Sequence, residues 1–297
     1  MSADGVDREP DGPACRVPPP GRPFRPVDPD GWEVRRRRTL RRLAAARSVG
    51  APADRFLTTA VLDVGGVVIP TLFETAAAPR FPAGPLGGEP DYRAVESGRV
   101  PERDYWARLA ERRPDLDIGA LWRSCSYVRA EIRAMLGRLA GRVRVVAFTN
   151  DMAHWFGDDW PDRFPELRAF DAILEARSFG VLKPDPEAFR RAAAAVGEPP
   201  DRCLFVDDLA ANLDGATTAG MATELFDVVD PAGSVVRLLG RLGIDGAGEP
   251  ASRVFRTGVS ASGGAGNPQL TDQNLPTRGN FARVGRDRPA SAGEDGR

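Results

Sequence analysis

Short apolar segments alternate with amphipathic segments through the middle of the chain. Five apolar runs rich in β-branched residues predict strands, at 58–62, 143–148, 172–176, 203–206 and 223–226. Helical patterns lie between and after them, at 129–140, 186–196, 209–219 and 233–241. Strands that alternate with helices predict an α/β fold, in which a parallel sheet is covered by helices on both faces.

The segment between the first two predicted strands has a different pattern. A Gly- and Pro-rich loop over 78–90 precedes an amphipathic stretch that begins near Pro101 and carries Trp106 and Leu109 on one face. A second apolar pattern follows it. We therefore expect a small helical cap, over about 71–128, inserted after the first strand and lying above the edge of the sheet.

Both ends of the chain lack the pattern of a hydrophobic core. Residues 1–55 are rich in Pro and Arg, and the stretch 31–49 predicts a short basic helix within them. Residues 245–297 are rich in Gly, Ser, Asn and Arg and contain few large apolar residues. We expect two disordered tails that flank one folded domain over 56–244.

Composition limits the classes of function. The formal net charge is −1 over 297 residues, which gives no bulk attraction to nucleic acid or to a membrane. No apolar run reaches the length of a membrane span, and the three cysteines, Cys15, Cys125 and Cys203, are too widely spaced to indicate a disulfide framework. These features predict a cytoplasmic protein whose partner is a small molecule. They leave its oligomeric state open.

Lys183 is the one lysine among forty-one basic residues, so all the others are arginine. A lysine ammonium is a compact point charge, whereas the arginine guanidinium is a wide planar fork. The exception predicts a site where only the compact cation fits, such as a small anion beside carboxylates and a metal ion.

Polar residues follow three of the predicted strands. Asp63 follows the first strand, Thr149 and Asn150 follow the second, and Asp207 and Asp208 follow the fourth. Because ligands of parallel sheets bind beyond the carboxyl ends of the strands, we expect these side chains to meet the lone lysine at one edge. A strand-end carboxylate can form an aspartyl-phosphate, and neighbouring carboxylates can hold Mg²⁺. The pattern predicts phosphoryl transfer from a small phosphorylated substrate.

Four segments, in this order, resemble the motifs of the haloacid dehalogenase-like (HAD) hydrolase superfamily. They are Asp63-Val64-Gly65-Gly66-Val67, Thr149-Asn150, Lys183-Pro184-Asp185-Pro186, and Asp207-Asp208 with Asn212. The stretches 164–180 and 205–221 are similar to the branch with bacterial sugar-1-phosphate phosphatases and the N-terminal phosphatase domain of soluble epoxide hydrolase. The resemblance covers about 56–230 and implies a three-layer Rossmann-like fold with a small helical cap.

The resemblance also implies a role for each motif residue. It makes Asp63 the nucleophile and Lys183 the cation that orients the nucleophile and the phosphate. It makes Thr149 and Asn150 phosphate ligands alongside Lys183. Its ligands for Mg²⁺ are Asp63, the backbone carbonyl of Gly65, Asp207 and Asp208, with Asn212 in support.

Gly65 departs from the family pattern, which places a second Asp there to protonate the leaving group. Loss of a general acid costs about 10²–10⁴ in rate. Two interpretations follow. One is a Mg²⁺-dependent phosphatase that acts on a small phosphorylated metabolite through an aspartyl-phosphate and prefers good leaving groups. The other is a catalytically weak or silent HAD-like scaffold that binds a phosphorylated ligand or partner.

Two other enzyme and signalling classes fit the sequence less well. A response-regulator receiver uses the same residue types, but there the acidic pair comes first and the Lys last. A haloacid dehalogenase uses the same nucleophile without a metal, whereas the pair Asp207 and Asp208 attracts Mg²⁺ and repels a carboxylate substrate.

Overall fold

The computed structural model describes residues 29–48, 57–78, 80–87 and 89–244. The disorder predicted before residue 29 and from residue 245 onward lies outside these residues. A helix, α1 (Pro29–Ser48), covers the Arg-rich stretch near the N-terminus. It contacts the edge of the sheet and forms an ion pair between Arg36 and Asp227.

A five-stranded parallel sheet forms the centre of the molecule, as the apolar runs predict. Its strands are β1 (Thr59–Leu62), β2 (Arg144–Thr149), β3 (Ala172–Glu175), β4 (Cys203–Asp207) and β5 (Ala222–Leu225). Their spatial order is β3-β2-β1-β4-β5. The first strand therefore lies at the centre, where the order reverses, and this is the position at which such sheets bind ligands.

The described part of the chain contains helices both within the cap region and against the sheet. After α1 they are α2 (Leu72–Thr75), α3 (Pro90–Glu96), α4 (Glu102–Arg112), α5 (Ile118–Cys125), α6 (Ala130–Leu139), α7 (Met152–Phe156), α8 (Pro186–Ala195), α9 (Ala210–Thr218) and α10 (Pro231–Arg241). Short 3-10 turns occur at Gly84–Gly87, Trp160–Arg163, Pro165–Ala169, Ala176–Phe179 and Pro200–Arg202.

Two hydrophobic clusters cover the two faces of the sheet. Successive residues of β1 alternate between them, because side chains on a strand point to opposite faces: Ala60 and Leu62 join one cluster, and Val61 joins the other. The first cluster contains α6, α10 and the cap helices, and the second contains α8 and α9. Helices on both faces give the three layers of a Rossmann-like α/β fold.

Helices α3, α4 and α5 form the cap between β1 and β2. An aromatic cluster joins the cap to the segment that follows β1, with Phe73 at its centre. The ring of Phe73 stacks on Trp106 at 4.9 Å between centroids and meets the edge of Tyr92 at 4.7 Å. Because Trp106 and Tyr92 are almost fully buried, the cap is packed as part of the same core.

The cysteines differ from the sequence expectation. Cys125, at the end of α5, is disulfide-bonded, whereas Cys203 is a buried free thiol. The cysteine spacing indicated no disulfide framework and did not indicate this single bond, because cysteines pair according to their distance in the fold. The cytoplasmic location stays a prediction. Among the described helices, none combines the length and apolar character needed to cross a bilayer.

Arg129 joins the start of α6 to the loop that follows β1. Its buried guanidinium donates hydrogen bonds from Nη2 to the carbonyl of Gly66 at 3.0 Å and to Oε2 of Glu74 at 2.8 Å. Glu74 also accepts the backbone N–H of Thr71 at 2.8 Å. The pair therefore fixes the backbone just beyond the end of β1. Removal of one partner would leave the other charge buried and uncompensated.

We predict that Arg129→Met lowers the free energy of unfolding by about 3–5 kcal/mol, because it leaves the buried Glu74 carboxylate without its paired cation. Arg133→Met on the same helix is the control, since Arg133 is half-exposed and its ion pair with Glu166 is worth about 1 kcal/mol or less. Urea unfolding measures both. Equal losses for the two variants, or no recovery in Arg129→Met combined with Glu74→Gln, would contradict the assignment.

Candidate active site

Asp63 follows β1 directly and lies at the centre of the carboxyl edge of the sheet. Its backbone N–H donates to the carbonyl of Val206 at 2.9 Å, so the pairing with β4 continues one residue past the strand. The chain then turns back sharply, and Gly66 has a φ of 86° in this turn. Because the chain turns here and does not begin a helix, the Asp63 carboxylate stays at the edge of the sheet.

Lys183 reaches the same point from the loop before α8. Its ammonium donates to Oδ1 of Asp63 at 2.6 Å, to Oδ2 of Asp207 at 3.2 Å and to the carbonyl of Phe148 at 3.2 Å. The three acceptors come from the ends of β1, β4 and β2. They use all three N–H donors of the ammonium.

The loop that carries Lys183 is held by Asn150. The Asn150 side chain accepts the backbone N–H of Lys183 at 2.8 Å and donates to its carbonyl at 3.3 Å. This positioning contact was not expected from the sequence. Asn150 also lines the cavity, and phosphate binding by Asn150 stays a prediction. Thr149, the last residue of β2, is buried and lines the same cavity as Asp63.

Asp207 is fully buried at the end of β4 and is surrounded by donors. Besides Lys183, it accepts the Asn212 side-chain amide at 2.9 Å and the backbone N–H of Leu209 at 2.8 Å. Asn212 lies in α9, so this contact joins the helix to the strand end. Asn212 therefore orients the Asp207 carboxylate, and its support of a metal site stays a prediction.

Asp208 completes a cluster of three carboxylates. One oxygen each from Asp63, Asp207 and Asp208 lie within 4.8 Å of one another. Within the described part of the chain, the Asp208 carboxylate accepts no hydrogen bond, and neither does the carbonyl of Gly65. A Cβ on Gly66 would lie 2.5 Å from Oδ1 of Asp208, so only glycine leaves room for this carboxylate.

The cluster contains more negative charge than its one ammonium balances. Burial raises the pKa of Asp63 to about 7, against the opposing effect of Lys183 and with a further rise from Asp207. Burial also raises the pKa of Asp208, and the charges of Asp207 and Asp63 add to this rise. Burial alone would lower the pKa of Lys183, but attraction to the two carboxylates outweighs it and the pKa is raised. A divalent cation fits this arrangement, because it would supply the missing positive charge to oxygen ligands.

A cavity of about 120 Å³ lies between the sheet edge and the cap. From the sheet side it is lined by Asp63, Gly65, Thr149, Asn150, Lys183 and Asn212. From the cap it is lined by Glu102, Arg103, Trp106 and Trp122, among others. The predicted site residues thus surround one space or lie directly beside it.

Gly65 leaves open space where the family pattern has an Asp. A Cβ built on Gly65 would meet its nearest neighbour, the ring of Trp122, at 4.0 Å, which is an ordinary contact. The backbone there is not in the left-handed region, unlike that of Gly66. The absence of an acid at this position is therefore not imposed by packing or by backbone strain.

The cap contributes charged residues that the sequence analysis did not assign. Arg103 donates to Oδ2 of Asp151 at 3.0 Å, which joins α4 to the segment after β2. Glu102, the first residue of α4, accepts the hydroxyl of Tyr92 at 2.9 Å. Their position follows from how the cap folds over the sheet edge, and periodicity gave no signal for it.

Comparison with known proteins gives matches in sequence and in structure. A phosphatase of Mycobacterium tuberculosis, MT3486, is 43% identical over 84 residues, which are 26% of this chain and 37% of the relative. Acyl-CoA dehydrogenase family member 10 of mouse is 23% identical over 128 residues, which are 43% of this chain and 11% of the relative. The chain thus spans well under half the length of these curated relatives.

Among solved structures, a HAD-family enzyme of Bacteroides thetaiotaomicron, in complex with magnesium and inorganic phosphate, is 19% identical. The match covers 67% of this chain and all of that one, with a TM-score of 0.39. The family model of the haloacid dehalogenase-like hydrolases matches residues 57–220, more than half of the chain, and this range contains the sheet edge with its lysine and all three carboxylates. The chain belongs to the haloacid dehalogenase-like hydrolase family.

Proposed function

We propose that the protein is a Mg²⁺-dependent phosphatase that acts on a small phosphorylated metabolite through an aspartyl-phosphate on Asp63. The observation that carries the proposal is the contact of one lysine with two carboxylates at the sheet edge. Lys183 lies 2.6 Å from Asp63 and 3.2 Å from Asp207, with Asp208 in the same cluster. This combination provides a nucleophile, a cation and a metal-binding pair around one cavity.

The residues that would hold Mg²⁺ are Asp63, Asp207, Asp208 and the carbonyl of Gly65. They offer oxygen ligands, and the carbonyl and Asp208 accept no hydrogen bond from the described residues. When bound, the ion supplies positive charge that offsets the carboxylates and the phosphate oxygens.

The side chains themselves supply position and charge. Asp63 attacks the phosphorus atom, and Lys183 keeps its carboxylate oriented while offsetting the charge of the phosphate. The Thr149 hydroxyl, which lines the cavity, binds a phosphate oxygen. Asn150 keeps Lys183 in place through its backbone. Catalysis of phosphoryl transfer consists largely of such positioning and electrostatic stabilisation.

The cavity favours a small substrate with an apolar part. Its volume is about 120 Å³, and three indole rings, of Trp106, Trp122 and Trp155, line it. The M. tuberculosis relative is named a phosphatase, which supports the same class of reaction over the aligned segment.

The second candidate is a silent scaffold that binds a phosphorylated ligand or partner without turnover. Gly65 favours this alternative, because the side chain that protonates leaving groups in the family is absent there. The two candidates share the predicted phosphate and metal sites, so binding of phosphate does not distinguish them. A measurement of substrate hydrolysis distinguishes the phosphatase from the scaffold.

We predict that the protein hydrolyses p-nitrophenyl phosphate in the presence of Mg²⁺ and that excess EDTA removes this activity. Asp63→Asn should lower kcat by about three orders of magnitude or more, because it removes the nucleophile. Asp201→Asn is the control, since Asp201 is an exposed carboxylate just before β4. Chelator-insensitive turnover, or an active Asp63→Asn protein, would refute the phosphatase assignment. Phosphate-dependent stabilisation without any turnover would favour the scaffold.

We predict that Lys183→Arg lowers kcat by at least about a hundredfold although it retains the charge. The planar guanidinium cannot direct three N–H groups at Asp63, Asp207 and the Phe148 carbonyl in the way that the ammonium does. Arg190→Lys on α8 is the reverse exchange at an exposed position and should leave kcat unchanged. A Lys183→Arg protein with wild-type kcat would show that the lone lysine is incidental.

We predict that Gly66→Ala impairs Mg²⁺ activation, because the new methyl group would lie 2.5 Å from the Asp208 carboxylate at a left-handed backbone position. The concentration of Mg²⁺ that gives half-maximal activity should rise by at least about tenfold, since a tenfold loss corresponds to only ~1.4 kcal/mol. Gly137→Ala in α6 is the matched control, because a Cβ there meets no atom within 4 Å. If both variants titrate with Mg²⁺ like the wild type, Asp208 is not a ligand.

A further inference from the structure

The cavity contains one acidic side chain that no arginine or lysine neutralises. Three acidic residues line it: Asp63, Asp151 and Glu102. Asp63 is paired with Lys183, and Asp151 is paired with Arg103. Within the described residues, Glu102 takes part in no ion pair, although forty of the chain's residues are arginine. A half-buried carboxyl that faces the site without a paired cation can serve as a proton donor.

A buried aromatic donor holds the Glu102 carboxyl at the start of α4. The Tyr92 hydroxyl donates to Oε1 at 2.9 Å. Burial raises the pKa of Glu102, although Tyr92 and the Trp106 indole oppose the rise. The charged groups that act on it are Asp207, Lys183 and, across the cavity, Asp208. The geometric link is the cavity itself, which Glu102 lines together with Asp63 and Lys183.

We propose that Glu102 is the acid that protonates the leaving group, in place of the Asp that is absent at position 65. The inference rests on the phosphatase function proposed above. Glu102 and Gly65 line the same cavity, one from the cap and one from the sheet edge. The carboxyl of Glu102, on the cap side of the cavity, would thereby do the task of the Asp that is absent at position 65.

The proton balance of the first step is simple. An Asp63 oxygen forms a bond to phosphorus while the bond from phosphorus to the ester oxygen breaks. The electron pair of that bond stays on the leaving oxygen, which takes the proton of the Glu102 carboxyl and departs as an alcohol. Asp63 then carries the phosphoryl group, and Glu102 is a carboxylate.

The second step restores both side chains. The Glu102 carboxylate accepts a proton from a water molecule whose oxygen bonds to phosphorus. The bond between phosphorus and Asp63 breaks, and its electron pair returns to the Asp63 carboxylate. Inorganic phosphate leaves, and Glu102 again holds the proton that the next leaving group needs. Because Glu102 belongs to the cap, this chemistry requires the cap to be seated over the sheet edge.

The experiment measures kcat/KM for p-nitrophenyl, phenyl and propyl phosphate with Mg²⁺, for the wild type and for Glu102→Gln. An acid matters most when the leaving group is poor. We expect Glu102→Gln to lose about 10²–10⁴ in rate on propyl phosphate and less than about tenfold on p-nitrophenyl phosphate. Near-normal p-nitrophenyl phosphate turnover also shows that the variant is folded. Glu111→Gln, on the exposed side of the same helix, should match the wild type on all three esters.

A second variant tests the same group through its partner. Tyr92→Phe removes the hydrogen bond to Oε1 of Glu102, and we expect a smaller loss with the same preference for the poor leaving group. An equal loss on all three esters, or no loss, in Glu102→Gln would overturn the role of Glu102 and leave the phosphatase function intact. If the wild type hydrolyses none of the esters, the proposed function itself fails.

Discussion

Three hydrogen bonds from one ammonium group hold the active site together. The Lys183 Nζ atom contacts groups at the ends of β1, β2 and β4, the three central strands of the sheet. The rings of Phe148 and Phe205 lie 5.4 and 5.3 Å from it, so the cation is enclosed as well as paired. A group with three converging donors on a thin stem fits this space, and a planar guanidinium does not. This geometry explains why a chain that otherwise uses only arginine has a lysine here.

The excess negative charge around Lys183 explains why neighbouring residues hold the backbone of the site in place. One ammonium faces three carboxylates, and burial makes that imbalance costly, as the raised pKa values of Asp63 and Asp208 indicate. The carboxylates stay close together because residues outside the cluster hold the backbone around it. Arg129 holds the carbonyl of Gly66 in the turn after Asp63, and Asn150 holds the backbone of Lys183. The sheet edge therefore provides the proposed nucleophile and the proposed metal ligands, while the cap provides the apolar wall and the carboxyl of Glu102.

The fold and the motif residues could be predicted because both leave local signals. Apolar runs marked the five strands, and the polar residues at three of their ends met as parallel strands require. Contacts that depend on tertiary packing left no such signal. In a chain with so many arginines, nothing marked Arg129 as buried, and nothing marked Glu102 as a residue that faces the site. The positive φ at Gly66 and the ordinary backbone at Gly65 were likewise indistinguishable in sequence. The partner of a cysteine such as Cys125 is set by distance in the fold, which spacing does not give.

The proposed mechanism requires Asp63 to carry the phosphoryl group during turnover. Rapid acid quench during hydrolysis of p-nitrophenyl phosphate with Mg²⁺, followed by peptide mass spectrometry, would detect this intermediate. We expect a phosphoryl group on the peptide that contains Asp63, sensitive to mild base as an acyl phosphate is, and absent without Mg²⁺. Turnover with no phosphoryl group on Asp63, or with the group on another residue, would exclude Asp63 as the nucleophile.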